Sequence, residues 1–127
     1  MSPFTVMISV VVADDEFDVR ALLGITLGLE NDFVVVGEAL DGKEAVNLAE
    51  TEHPDAIVLD LMMPIMGGME AIPEIRTRSP RTKIIVFSAL AAAQAEAEAL
   101  ARGADAYVEK TRVVEDLTDT LHRLCAA

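Results

Sequence analysis

Five short apolar runs, rich in β-branched residues, punctuate the chain at 7–13, 33–37, 56–61, 83–88 and 106–109. Each is nearly continuous in Val, Ile and Leu, the pattern of strands buried on both faces of a parallel sheet. No hairpin turn joins neighbouring runs, and the intervening stretches are long enough for crossover helices. Those stretches carry helical signals of their own. Asp41 and Glu44 form a capping-box pattern at the start of the second, and Pro54 follows its end. In the fourth, Leu90, Ala93, Ala97 and Leu100 predict the buried stripe, and Gly103 stands where a left-handed cap belongs. In the last, Val114, Leu117, Leu121 and Leu124 predict a sheet-facing stripe. Pro73 fits the third helix only if that helix starts near Met69, which keeps the proline close to the first turn. The pattern is a strand–helix unit repeated five times, an open α/β sandwich with a parallel sheet between helical layers.

Composition narrows the function. The 127 residues make one domain, and at 52% hydrophobic they can fill a core. The formal charge is −12, so the surface repels phosphate backbones and direct nucleic-acid binding is not expected. No basic residue precedes Arg20 and no apolar run reaches membrane-spanning length, so neither a secretory signal nor a membrane partner is expected. The lone Cys125 cannot form an internal disulfide, which suits a reducing, cytoplasmic setting.

Ligands of open α/β sheets bind at the carboxyl ends of strands, where strand order reverses. The first run ends in Asp14-Asp15-Glu16, the third in Asp60, the fourth in Ser88 and the fifth in Lys110. The second ends in Glu38-Ala39, which carries no chemical signal. With strand order 2-1-3-4-5, Asp14, Asp15 and Asp60 converge, and Ser88 and Lys110 lie on the next strands out. Three carboxylates and one lysine leave excess negative charge, which a divalent cation offsets. An all-oxygen set with room for water favours Mg²⁺ over zinc. Such a site can take a phosphoryl group, neutralised by Lys110 and the Ser88 hydroxyl, with one carboxylate attacking in line. Asp60, standing alone at its strand end, is the candidate nucleophile.

These residues resemble the receiver domain of bacterial response regulators in two-component signalling. The resemblance spans essentially all of residues 1–127 and rests on Val12-Ala13-Asp14-Asp15, Asp60-Leu61-Met62-Met63-Pro64, Gly68, Ser88-Ala89 and the stretch from Gly103 to Lys110. The stretches around Gly37 and Tyr107 are similar to the NarL/FixJ (LuxR-type) subfamily, whose members usually attach a helix-turn-helix output domain. The resemblance implies a flavodoxin-like (βα)5 three-layer sandwich, with no output domain within this chain. It implies that Asp60 takes a phosphoryl group from a sensor histidine kinase. Asp15 would ligate Mg²⁺ directly, Asp14 through water, and the Met62 carbonyl would add a ligand. Lys110 would pair with phosphoryl oxygens. Ser88 would move to the phosphoryl group as Tyr107 turns inward, altering the face of the fourth helix, fifth strand and fifth helix. The chain is thus expected to be a phosphoacceptor that catalyses its own phosphotransfer and dephosphorylation, most often the regulatory domain of a transcriptional regulator. A stand-alone regulator and a phosphorylation-independent interaction module are the alternatives, although the module would have lost an acidic, Lys or Ser position and none is lost here.

Three positions depart from the family pattern: Thr111 where Pro usually follows the lysine, and Ile65 and Gly67 where Gly and Asp are common. Met62 and Leu90 flank the site and predict slow loss of the phosphoryl group. The other methionines, Met63, Met66 and Met69, read with Met62 as adaptable packing. The alanines from 89 to 101 favour helix first, and second allow close approach of another helix, as in a homodimer. Phe17 and Ala21 are a candidate kinase-docking patch. His53 and His122 have no evident metal-ligand companion in the sequence and read as structural or solvated.

Overall fold

The structure, a computed structural model, describes residues 7–89, 93–110 and 114–125. Strands and helices alternate as β1 (Ile8–Ala13), α1 (Phe17–Leu29), β2 (Phe33–Ala39), α2 (Gly42–Glu52), β3 (Ala56–Leu59), α3 (Gly68–Arg78), β4 (Lys83–Ser88), α4 (Ala93–Arg102), β5 (Ala106–Glu109) and α5 (Val114–Cys125). All neighbouring strands pair in parallel, in the expected order β2-β1-β3-β4-β5. Alternation along β1 explains the three layers. Val10 and Val12 face a core shared with Leu23 and Leu27 of α1 and Leu117 and Leu121 of α5. Val11 and Ala13 face the opposite core, with Ala45 and Ala49 of α2 and Ile72 and Ile75 of α3.

Most of the local readings hold. The Asp41 side chain accepts the Glu44 N–H at 2.8 Å, and the Glu44 carboxylate accepts the Leu40 N–H at 3.0 Å. Gly103 has φ +124°, and Val114, Leu117, Leu121 and Leu124 all pack inward. Some bounds differ. β2 runs on to Ala39, so Glu38 lies inside the strand. β3 stops at Leu59, which leaves Asp60 just beyond it.

One reading is corrected. In α4 the buried positions are Ala99 and, in part, Ala95, whereas Ala93 and Ala97 are exposed and Leu100 is 43% exposed. Alanine is apolar on every face of that helix, so its periodicity cannot mark the inner one; Leu90 lies outside the described residues. Pro73 fits as read: α3 starts at Gly68, next to Met69, which puts the proline early in the second turn, close to the first. There it removes the N–H that would bond the Met69 carbonyl. Arg102 of α4 supplies the missing donor, its Nη1 lying 3.2 Å from the Met69 oxygen.

Arg76 ties the C-terminal end of α3 to two loops. Its Nη1 donates to the Pro80 and Thr82 carbonyls at 3.0 and 2.8 Å. Its Nη2 donates to the Gly103 carbonyl at 2.7 Å and to Asp105 Oδ2 at 2.6 Å. Asp105 Oδ2 in turn accepts the Ile84 N–H at 2.8 Å, which anchors the start of β4. Arg76→Ala strands these acceptors, so a loss of about 2–3 kcal/mol is expected by urea denaturation. Arg76→Lys should recover only part of it, because an ammonium lacks the fork that reaches both loops.

Candidate functional site

The sheet order makes the acidic cluster. β1 and β3 are neighbours, with Ala13 opposite Leu59, and the Asp60 N–H donates to the Ala13 carbonyl at 2.9 Å. The residues that follow them, Asp14 and Asp60, are therefore side by side, 2% and 4% exposed. Carboxylate oxygens of Asp14, Asp15 and Asp60 all lie within 4.8 Å of one another, with Asp15 exposed toward solvent. Lys110, just past β5, donates its backbone N–H to the Ser88 carbonyl at 2.8 Å. Its long stem then passes the end of β4, placing Nζ 2.6 Å from Asp14 Oδ2 and 3.3 Å from Asp60 Oδ2.

Neither Asp14 nor Asp60 serves as the N-cap of the helix that follows it. The N-cap of α1 is Glu16, with no side-chain cap bond, and the N-cap of α3 is Gly67. Asp14 Oδ1 instead accepts the Glu16 N–H at 2.9 Å, and Asp60 Oδ1 accepts the Met62 N–H at 3.3 Å. Burial first, then the Asp14 charge, push the Asp60 carboxyl above the usual carboxylate range, although Lys110 and the Met62 N–H pull the other way. Burial lowers the Lys110 pKa, but its bond to Asp14 and the charges of Asp60 and Asp14 outweigh that and raise it. Three carboxylates set against one lysine leave a surplus of negative charge. An all-oxygen donor set with that surplus fits a hard divalent cation such as Mg²⁺.

The β3–α3 loop that carries Asp60 onward depends on two close backbone approaches. A Cβ on Gly68 would fall 2.1 Å from the Asp60 carbonyl oxygen, and one on Gly42 2.3 Å from the Met66 carbonyl oxygen. The Gly42 N–H donates to that Met66 oxygen at 2.8 Å, docking the loop on the start of α2. At the loop's tip Ile65 has φ +67° and is 81% exposed. The left-handed turn expected of glycine is thus kept by a β-branched residue, at a conformational cost. Met63, Met66 and Met69 pack on the core as expected, but the Met62 side chain does not: it is 65% exposed.

Ser88 ends β4 fully buried, and Tyr107 stands on β5 opposite Val86. Burial raises the Tyr107 hydroxyl pKa, while a hydrogen bond with the Ser88 side chain acts to lower it. The two expected switch positions therefore already touch. Beside Tyr107, between α4 and α5, is a cavity of about 300 Å³ that Glu96, Glu109 and Asp116 help to line. Thr111 falls outside the described residues.

Two features escaped the sequence reading. Glu38, dismissed as silent, accepts a bond from Arg20 Nε at 3.2 Å, and Arg20 Nη1 donates to the Asp14 carbonyl at 2.8 Å. Phe17, 72% exposed, carries the Arg20 guanidinium 5.8 Å above its ring, and Ala21 is half-buried. His122 is structural as read, its Nε2 lying 2.7 Å from Asp32 Oδ2, but it does have acidic companions, since a Glu30 carboxylate oxygen lies in the same cluster. That pair is 90 residues apart in sequence, beyond any local pattern. His53 is structural as expected, since it caps α2 at φ 44° and its Nδ1 lies 3.3 Å from Ser79 Oγ.

A carboxyl whose folded pKa is raised binds more protons folded than unfolded, so its ionisation costs stability as pH rises. Asp60→Asn should therefore stabilise the fold at pH 7 in EDTA. The gain disappears near and below the ordinary value of 3.8, where the carboxyl is protonated in both states. Urea titrations across pH check this, and a gain that does not vary with pH refutes it. Ile65→Gly should add about 1 kcal/mol by releasing the left-handed strain, read as a higher urea midpoint.

Comparisons with known proteins agree with this geometry. The response regulator receiver domain family matches residues 10–122. The chain is 37% identical over 118 residues to the nitrate/nitrite response regulator protein NarL of Escherichia coli (strain K12), covering 93% of this chain and 55% of that protein. It is 42% identical over 117 residues to a protein-glutamate methylesterase/protein-glutamine glutaminase of Paramagnetospirillum magneticum, covering 88% of this chain but 33% of that protein. The chain thus spans about half or less of these relatives. Among solved structures, a LuxR-family DNA-binding response regulator from Staphylococcus aureus superposes with TM-score 0.87 at 29% identity, covering 93% of this chain and 98% of that one. Flavodoxin-like topology, an acidic pocket at the ends of β1 and β3, and relatives of the LuxR type together establish that this chain belongs to the response regulator receiver domain family.

Proposed function

We propose that Asp60 accepts a phosphoryl group from a sensor histidine kinase, and that Asp14, Asp15, Asp60 and the Met62 carbonyl hold the Mg²⁺ this requires. The observation that carries the reading is Lys110 Nζ bridging Asp14 and Asp60 within a three-carboxylate cluster. A bound Mg²⁺ would supply positive charge for the phosphoryl oxygens. Asp60 contributes the nucleophile. As its carboxylate oxygen bonds to phosphorus, the phosphorus–nitrogen bond to the donor histidine breaks, and the imidazole leaves with its electron pair. Lys110 is placed to pass from carboxylate partners to phosphoryl oxygens, and it remains charged throughout because its pKa is raised.

Ser88 and Tyr107 form the switch in this reading. Their hydrogen bond supports it, since it couples the two side chains, and a turn of Ser88 toward a phosphoryl oxygen alters the bond that Tyr107 makes. Tyr107 lines the cavity between α4 and α5, so that such a change reaches the α4–β5–α5 face. The chain catalyses its own phosphorylation and dephosphorylation and acts on no other substrate.

Residues 1–127 constitute one receiver domain in this reading, and any helix-turn-helix output lies outside them. The LuxR-family neighbour is a DNA-binding response regulator, which supports a role as the regulatory domain of a transcriptional regulator. Homodimerisation would then accompany activation. The cytoplasm is the expected compartment: Cys125 is a free thiol, and among the described residues no helix is long and apolar enough to cross a membrane.

Intact mass after incubation with acetyl phosphate tests the chemistry. One phosphoryl gain is expected for wild type with Mg²⁺, and none with EDTA or in Asp60→Asn. A gain that persists in Asp60→Asn would refute the assignment. No gain in wild type under any condition would favour a phosphorylation-independent module of the same fold.

A further inference from the structure

We infer that Arg20 is a positioning residue for the metal pocket: it fixes the peptide plane between Asp14 and Asp15 and so sets the pocket's affinity for Mg²⁺. The inference rests on reading the acidic cluster as a Mg²⁺ site. A helical side chain covers the turn N-terminal to its own Cα. Arg20, at the start of α1, accordingly lies back over residues 14–16. Its Nη1 donates to the Asp14 carbonyl at 2.8 Å and its Nε to Glu38 Oε1 at 3.2 Å, with the side chain only 10% exposed. The Phe17 ring backs the guanidinium at 5.8 Å.

The bond to that particular carbonyl carries the argument. The Asp14 carbonyl belongs to the peptide unit joining the two acidic residues, and a peptide unit is rigid and planar. Asp14 is also held at its N–H by the Ala39 carbonyl at 3.0 Å, at Oδ1 by the Glu16 N–H at 2.9 Å and at Oδ2 by Lys110 at 2.6 Å. Asp15 is exposed, and none of these bonds reaches its side chain. Where the Asp15 carboxylate sits therefore follows from how the 14–15 peptide is turned, and the Arg20 bond sets that turn.

Glu38 can anchor Arg20 because of a bulge in β2. The β1–β2 register shifts between Val10 and Val11, so that Val10 faces Val35 but Val11 faces Gly37. Val35 packs with the α1/α5 core and Val36 with the opposite one, yet Ala39 joins Val36's side. The extra residue reverses the alternation and turns Glu38 toward α1, where Arg20 meets it. The guanidinium holds its N–H groups in a fixed planar fork, so Arg20 reaches the Glu38 carboxylate through Nε and the Asp14 carbonyl through Nη1, a spread that a single ammonium nitrogen does not reproduce.

The experiment is a Mg²⁺ titration of ¹⁵N-labelled wild type, Arg20→Lys, Arg20→Gln and Glu38→Gln, following the amide signals of residues 14–16 and 60–62, with a thermal melt of each. Groups that orient metal ligands typically change affinity by about 10- to 100-fold when removed. Both Arg20 variants should weaken Mg²⁺ binding at least about tenfold, and Glu38→Gln should weaken it less, in the same direction. Charge alone predicts otherwise: Arg20→Lys would bind like wild type, and Arg20→Gln, having lost a cation near the site, would bind more tightly. That result overturns the inference. So does a lowered melting temperature with unchanged Mg²⁺ affinity, which is the mark of a merely structural brace. Should the Arg20 variants fail to fold, Glu38→Gln decides, because Glu38 is exposed and an unchanged affinity there refutes the inference. If wild type itself leaves these amides unshifted, the metal reading fails first and takes the inference with it.

Discussion

Two carboxylates buried at the ends of adjacent parallel strands repel each other, and the fold cannot separate them. Strand pairing places Asp14 beside Asp60 because β1 and β3 are hydrogen-bonded neighbours right up to those residues. Burial, and after it the Asp14 charge, raises the Asp60 pKa. Lys110 relieves part of the repulsion from β5, beyond the intervening β4, with a closer approach to Asp14 than to Asp60. The site is therefore strained electrostatically by construction, and the surplus charge is what gives a cation and then a phosphoryl group somewhere to bind. Around it, the surrounding elements hold the acids in place.

That holding is mostly backbone work. Gly68 and Gly42 allow carbonyls of Asp60 and Met66 to approach closer than any Cβ would permit, so the β3–α3 loop sits tight against both its own strand and α2. Ile65 keeps the loop's left-handed turn without glycine. Further along, α3 contains a proline in its second turn and is repaired from outside by Arg102 of α4. Arg76 then ties its end to the loops before β4 and β5. Each repair crosses between elements, so α3, α4 and the strands that carry Ser88 and Tyr107 are mechanically linked to the loop after Asp60.

Much of this was legible along the chain. Period and composition located every strand and helix, because a strand buried on both faces must be apolar throughout and helices must cover it. The acidic, Ser and Lys positions stood out because each follows directly on an apolar run. Where the residues themselves were uninformative, the reading failed. α4 is alanine on both faces, so its inner stripe at Ala95 and Ala99 could not be told from its outer one. Glu38 carried no signal because a one-residue bulge, invisible in the sequence, decides which way it points.

The sequence by itself thus determined the layer architecture and the chemistry available at the strand ends, since both follow from local rules of burial and alternation. The tertiary structure alone decided the distances between those groups and the long-range bonds that orient them: Lys110 to Asp14, Arg20 to Asp14 and Glu38, Arg76 to Gly103, His122 to Asp32. The reason is physical. Apolar periodicity records which side of an element is dry, whereas a polar contact between distant segments depends on register and loop geometry that only the assembled sheet fixes.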